Sequence, residues 1–506
     1  MKHQTDHSLS EKKSLLGQID WFTTLVPFFC ILALCAWFDV SPEESTAASG
    51  AVRNFLGDEM GSYYLIIGLG VFVCSLYIAF SRFGQIRLGD AERPLYSGFQ
   101  WGSMIFTAGL AADILFYSCC EWILYASDPH TAEMGTVHEW AATYPLFHWG
   151  PIPWGFYLVL SAAFGFMLHV RKRSRQKYSE ACRPVLGNRV DGWAGKLIDL
   201  IAVFALLAGT ATTFSLATPL LAGAISNVTG IPQSTGLTLV ILVVVCAIYT
   251  FSVYFGMKGV QLSAATCTWL FFGLLAYVFF FGGQTRFIIE EGITALGNMT
   301  QNFIGLSTWT DSLRTSSFPQ TWTIFYWAYW MVWCVAAPFF IGSISRGRTV
   351  RQTILGGYGF GVGSTILSFI ILGNESMGMQ MAGKADFIAR YAKDGDLYGM
   401  IIAMIQKIPC ASLVLVVLLL TMIAFYATSF DSIALTVSCY SYRRLEEGQQ
   451  PSKAIQLMWC LLLILLPIAL VFSESSMSNL QSVSIVAAFP IGMVILLIVA
   501  GIPIPV

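Results

Sequence analysis

The chain has 506 residues, 56% of them hydrophobic and 11% charged, with a formal net charge of −1. A soluble protein carries about 25% charged residues, so this composition excludes an ordinary globular domain; the net charge says nothing about nucleic acid, and no basic domain is present. Apolar runs of about 20 residues recur along the sequence, the length a helix needs to cross a bilayer. The expected class is all-α and polytopic, with the lipid bilayer as first partner. The 12 Cys fall mostly inside the apolar runs, without CxxC or Cys/His spacing, and read as reduced packing residues. No motif calls for a cofactor or a metal.

Residues 1–19 are polar and lack an apolar core, so they read as a short tail and not as a cleavable leader. About twelve spans follow, near residues 20–40, 61–83, 98–127, 140–170, 192–226, 234–256, 261–285, 320–345, 350–373, 411–440, 454–474 and 481–502. With the N-terminus inside, most Lys and Arg fall on one side. The densest loop, Arg171 to Lys196, reads RKRSRQKYSEACRPVLGNRVDGWAGK. The positive-inside rule places that side in the cytoplasm. An even span count returns the C-terminus to the cytoplasmic face of the cell membrane.

Spans one and two carry no residue that invites chemistry. Span three holds Thr107-Ala-Gly-Leu-Ala-Ala-Asp113, a small-residue run with one acid near mid-membrane. Gly109 weakens the helix and allows close backbone approach. An intramembrane acid is costly and marks function or a structural pair. Glu121 lies further out, where a solvated vestibule carboxylate is as good a reading as a direct role. Pro151 and Pro153 suit the start of span four. They gather Trp149, Trp154 and Tyr157 at a helix entry, which taken alone is an interfacial belt. His148 beside them reads as a hydrogen-bonded structural histidine. The hydroxyls of span five, GTATTFSLATP from Gly209 to Pro219, satisfy backbone groups near the proline or line an ion path; packing is the simpler reading. Residues 286–319 are too polar to span, and Ile288 to Leu306 suits a helix lying on the outer surface. Residues 374–398, with Met377, Met379 and Met381, read as an outer loop. Span ten carries Phe425, Thr428 and Ser429, with hydroxyl oxygens deep in an apolar helix; the alternative is hydroxyls bonded to their own helix.

The most distinctive stretch is Trp322 to Arg351, WTIFYWAYWMVWCVAAPFFIGSISRGRTVR. At 1.5 Å per residue, entry near Gln320 places Trp327 to Trp333 roughly 10–20 Å deep, below the level of interfacial anchors. Tyr326, Trp330 and Trp333 follow i, i+4, i+7 and share one face. Such a face is either helix packing or a cage for a cation. The run W-T-x-F-Y-W-A-x-W followed by I-S-R-G-R-T resembles the signature of the betaine/choline/carnitine transporter family. Tyr329 departs from it, since the family usually has Trp there.

That resemblance implies a secondary transporter importing a quaternary ammonium compound. It implies a LeuT-like fold of two inverted five-helix repeats preceded by two extra helices, and a homotrimer. The corresponding division is 1–19 tail, 20–97 extra helices, 98–293 first repeat, 294–319 outer amphipathic segment and 320–506 second repeat. Spans three and eight, each interrupted by small residues or proline, lead the two repeats and point to a midplane site between them. The implied substrate residues are Trp149, Trp154, Tyr157, Tyr326, Tyr329, Trp330 and Trp333. Gly109 and Leu110 are expected to offer backbone N–H groups to a substrate carboxylate. The implied ion-coupling residues are Asp113, Thr428, Ser429 and Phe425. Sodium-coupled members have Gly where this chain has Asp113, and proton-coupled choline carriers have Asp, so proton coupling is the expectation. Sodium is the alternative, through Thr428 and Ser429. Substrate–product exchange is a further alternative, although the exchangers carry Arg and Met where this chain has Gln261 and Ala337. The short tails imply uptake that needs no hyperosmotic activation.

Overall fold

Capping chemistry sets where several helices begin. Ser97 closes a capping box with Gln100 at the start of the third span, and Thr349 does so with Gln352 at the start of the ninth. Each pair satisfies two of the N–H groups a helix start leaves over. The computed structural model describes residues 17–110, 112–173, 175–445, 449–472 and 477–502. Residues 1–16 of the expected tail, and Ala111 in span three, lie outside these.

The helices used below are α1 (Trp21–Val40), α2 (Gly61–Phe80), α3 (Gly98–Gly109), α4 (Asp113–Ala126), α5 (Val137–His148), α6 (Pro151–His169), α7 (Trp193–Thr229) and α8 (Thr235–Phe255). They continue as α9 (Met257–Phe281), α10 (Thr285–Thr308), α11 (Ile324–Trp333), α12 (Ala337–Ile344), α13 (Val350–Ser368), α14 (Ala411–Tyr440), α15 (Lys453–Phe472) and α16 (Met477–Gly501). Among the described residues, nine helices are long and apolar enough to cross a membrane, or up to eleven spans when each of two bent pairs counts as one. These match eleven of the expected spans. The remaining one is α15, whose described apolar stretch is Lys453–Leu465. The chain is an all-α, multi-pass membrane protein.

The two bent pairs are the interruptions expected in spans three and eight. α3 and α4 meet at 59°, and the helix of Pro319–Trp333 meets α12 at 50°. In the first, Leu110 is extended (φ −120°, ψ 136°). In the second, Pro338 sits in the first turn of α12, where its missing N–H costs nothing. Around these breaks, α12 and α2 both pack along α6, α9 packs along α14, and α11 lies against α16.

Two regions differ from expectation. The Met-rich segment after span nine is no loop. The helical run continues from Val350 to Met381, and Met377 and Met379 are buried. Apolar packing, not solvent, explains those methionines. Glu121 is not a vestibule carboxylate either, being 1% exposed inside the bundle. On the basic face, the buried Lys177 meets Asp20 at 3.0 Å and Arg175 meets Asp199 at 3.5 Å, which ties the densest basic loop to α1 and α7.

Candidate functional site

Both breaks open onto one small cavity. Its walls are Ala108 and Gly109 at the end of α3, Leu110 in the first break, Asp113 at the start of α4, Trp149 just after α5, Tyr157 from α6, Tyr329, Trp330 and Trp333 from α11, and Ser429 from α14. The walls stand so close that the space admits little more than a water-sized sphere. Trp330 is the hub. Its ring centroid lies 4.9 Å from Tyr157, 5.7 Å from Trp149 and 5.7 Å from Trp154. Its indole N–H is buried without a hydrogen-bond partner, so packing alone fixes the ring.

Trp154 belongs to this group but stands behind it. It donates to Thr365 Oγ1 at 3.1 Å and does not line the cavity. Two glycines make room for it. A Cβ on Gly109 would stand 2.3 Å from Trp154 Cη2, and one on Gly361 would stand 2.4 Å from its ring. Gly109 is therefore the price of seating an indole against the break. Tyr326 also stands outside the cavity, stacked on His148 at 5.2 Å and packed against Trp149 at 5.6 Å.

Asp113 is the first residue of α4, where a helix N-terminus favours negative charge. It is 3% exposed. The Tyr329 hydroxyl donates to its Oδ2 at 2.5 Å, and the same hydroxyl lies 2.6 Å from Thr213 Oγ1. Among the described residues, no lysine, arginine or histidine pairs with this carboxyl.

The cavity therefore presents π faces on several sides and one acid that has no counter-ion among the described residues. A model of the BCCT family, described as betaine/carnitine/choline family transporter, matches residues 22–504. The chain belongs to this family. It is a secondary transporter of quaternary ammonium compounds. A carnitine transporter of Acinetobacter baumannii is 26% identical over 486 residues, 94% of this chain and 87% of that one. The glycine betaine transporter OpuD of Bacillus subtilis is 29% identical over 487 residues, 94% and 93% of the two chains. A solved Na+-coupled sialic acid symporter in a substrate-bound outward-open state aligns with a TM-score of 0.45 and 15% identity, over 90% of this chain and 87% of that one. That likeness is too distant to carry an argument.

Within this transporter the expected ion-coupling residues divide. Ser429 donates to the Leu110 carbonyl at 3.3 Å, bridging α14 to the first break. Thr428 turns onto its own helix, to the carbonyls of Ala424 (3.0 Å) and Phe425 (3.1 Å). The Phe425 ring packs between Phe106 and Phe271, each at 5.5 Å, away from the cavity. The Leu110 N–H bonds to the Phe106 carbonyl at 3.1 Å, so it faces back into α3.

Sequence reasoning missed a second polar system one layer outward. Glu121 Oε2 accepts from Trp149 Nε1 at 2.7 Å, and its Oε1 accepts from the Tyr125 hydroxyl. Tyr125 also reaches His148 Nδ1 at 2.7 Å, and His148 Nε2 reaches Thr323 Oγ1 at 2.9 Å. His148 is hydrogen-bonded through both ring nitrogens. The i, i+4 spacing of Glu121 and Tyr125 was a signal for one link of this chain. The link to Trp149 crosses helices and left none.

Proposed function

We propose that this transporter imports its quaternary ammonium substrate together with a proton, with Asp113 as the group that carries the proton. The supporting observation is Asp113 itself: a buried carboxyl in the cavity wall with one side-chain donor and, among the described residues, no counter-ion. The trimethylammonium head has no hydrogen to donate, so π faces are its natural ligand. Trp149, Tyr157, Trp330 and Trp333 form the cage in this reading, with Trp154 backing it. Each contact contributes about 2 kcal/mol when desolvated. Tyr326 acts through Trp149, and Tyr329 through Asp113.

A substrate carboxylate near the start of α4 would meet helix N–H groups but would repel an ionised Asp113. Proton binding and zwitterion binding therefore favour each other, whereas a cation such as choline favours the ionised acid. Betaine or carnitine is expected to bind more tightly as pH falls, and choline less tightly. A second reading is sodium coupling, favoured by the oxygens of Ser429 and the Leu110 carbonyl side by side at the cavity. Phe425 and Thr428 would complete such a site only after Thr428 turns away from its helix.

We further assign the inner membrane as location, both termini to the cytoplasm, and the halves 98–293 and 320–506 to inverted repeats led by the two broken helices. A homotrimer held through α10 fits the exposed Ile289, Ile293 and Ile304 on that helix. The deciding experiment is uptake of labelled betaine, choline, carnitine and butyrobetaine into proteoliposomes under an imposed pH or sodium gradient. Uptake driven by sodium and indifferent to the pH gradient rejects the proton reading.

A further inference from the structure

Thr213, Tyr329 and Asp113 come from α7, α11 and α4 and form one buried row. The Tyr329 hydroxyl sits between Thr213 Oγ1 at 2.6 Å and Asp113 Oδ2 at 2.5 Å. Among the described residues, the titratable groups that interact with Asp113 are Tyr117 on its own helix, Tyr157 on α6, Tyr329 on α11 and Tyr426 on α14. All are phenols. Of these phenols, Tyr329 is the one hydrogen-bonded to the acid.

Hydroxyls donate and accept, so such a row has two polarities. With Asp113 ionised, Tyr329 donates to Oδ2 and accepts from Thr213. With a proton on Oδ2, the acid O–H donates to the Tyr329 oxygen. The Tyr329 hydrogen then turns to Thr213 Oγ1. The proton on Asp113 comes from water and returns to water; the hydroxyl hydrogens only rotate. Asp113 and the Tyr329 hydroxyl each keep a partner in both states, which avoids the main penalty of a buried polar group at those two positions.

We propose that Thr213 and Tyr329 are positioning residues for ion coupling, a reversible hydrogen-bond row that keeps Asp113 satisfied with and without its proton. The proposal rests on the proton-coupled reading above. An indole at position 329 could donate to the carboxylate but could not accept from the neutral acid.

The test has two arms. In infrared difference spectra between acid and neutral pH, the carboxyl C=O band that Asp113→Asn removes belongs to Asp113. Tyr329→Phe is expected to move that band to higher frequency, and Thr213→Val to move it less. An unmoved band in Tyr329→Phe overturns the row. In proteoliposomes, accumulation driven by a pH gradient is compared with counterflow of the same labelled betaine at equal pH. Thr213→Val is expected to lose about fivefold more accumulation than counterflow, the lower end for coupling between sites. Thr213→Ser is expected to restore it, and Tyr329→Trp to behave like Thr213→Val. Equal losses in both assays, or no rescue by serine, reduce Thr213 to packing and overturn the proposal. Sodium-driven uptake in the parent overturns the coupling role, while the infrared arm still reports whether the row exists, so the two failures are told apart.

Discussion

Asp113 and Glu121 stand eight positions apart on one helix, both buried, yet their surroundings differ. Glu121 accepts a hydrogen bond on each oxygen, from Tyr125 and Trp149, and stays out of the cavity. Asp113 accepts one side-chain hydrogen bond and forms part of the cavity wall. An acid whose oxygens are both occupied by neighbours is part of the scaffold: it holds Trp149 in place. An acid with one side-chain donor that forms part of the cavity wall is available to a ligand or a proton. Burial alone does not separate these roles; the placement of donors does.

The largest expected effect tests that difference directly. Asp113→Asn is expected to abolish accumulation driven by a pH gradient, whereas Glu121→Gln should keep the coupling and lose stability. Glutamine has one acceptor oxygen for two buried donors, and stranding one of them costs about 1–3 kcal/mol. Proteoliposome uptake and thermal unfolding, measured on both variants, give the answer. Coupling lost in Glu121→Gln and kept in Asp113→Asn would reverse the assignment.

A smaller effect separates the cage from its backing. Trp330→Ala is expected to raise the dissociation constant about tenfold or more, since about 1.4 kcal/mol is a factor of ten. Trp330→Phe keeps a π face and should retain part of the affinity. Trp154→Phe should cost less than Trp330→Ala, because Trp154 lies behind the wall and chiefly loses its bond to Thr365. Tryptophan fluorescence titration with betaine measures all three. An unchanged constant in Trp330→Ala would remove the cage.

Much of the cavity was legible because its residues announce themselves by type. Indoles at mid-membrane depth, an acid in an apolar span and small residues where a helix breaks are local signals. Both helix breaks fell where the small residues and Pro338 placed them. What stayed hidden depends on facing surfaces. Thr213 lies in a run of hydroxyls, and helical periodicity cannot say which one meets Tyr329 without the position of α11. Glu121 looked solvated because neither Trp149 nor Tyr125 carries a charge that would mark it as a partner. Tyr326 shares a face with Trp330 by spacing, yet α11 turns it toward His148. Met377 and Met379 looked like loop because their polar neighbours hid the continuing helix.

The smallest effect comes from a third acid, outside the spans, which sharpens the contrast. Asp311 lies in the loop between α10 and the second broken helix. Its Oδ1 accepts from the Thr315 N–H (3.0 Å) and hydroxyl (2.8 Å), and its Oδ2 from the N–H groups of Ser316 (2.9 Å) and Ser317 (2.7 Å). Burial pushes this carboxyl up, but the N–H groups of Ser316 and Ser317, with the donors of Thr315, outweigh it and hold Asp311 well below the usual carboxylate range. These donors stabilise the charged form, as a nest of backbone N–H groups does. They also hold a turn in which Asp311, Arg314 and Ser317 all have positive φ (44°, 55° and 57°), a conformation that side chains resist. A group with a lowered folded-state pKa adds stability that is present above its unfolded value, about 3.9. That stability is lost as pH falls through the folded value. Asp311→Ala is therefore expected to unfold a few degrees below the parent at neutral pH, with the gap closing as the pH drops below about 4. Its ion coupling should match the parent's, since Asp311 lies outside the cavity. A gap that stays constant down to acid pH would show that the loop is held by its backbone alone and that the charge of Asp311 contributes nothing.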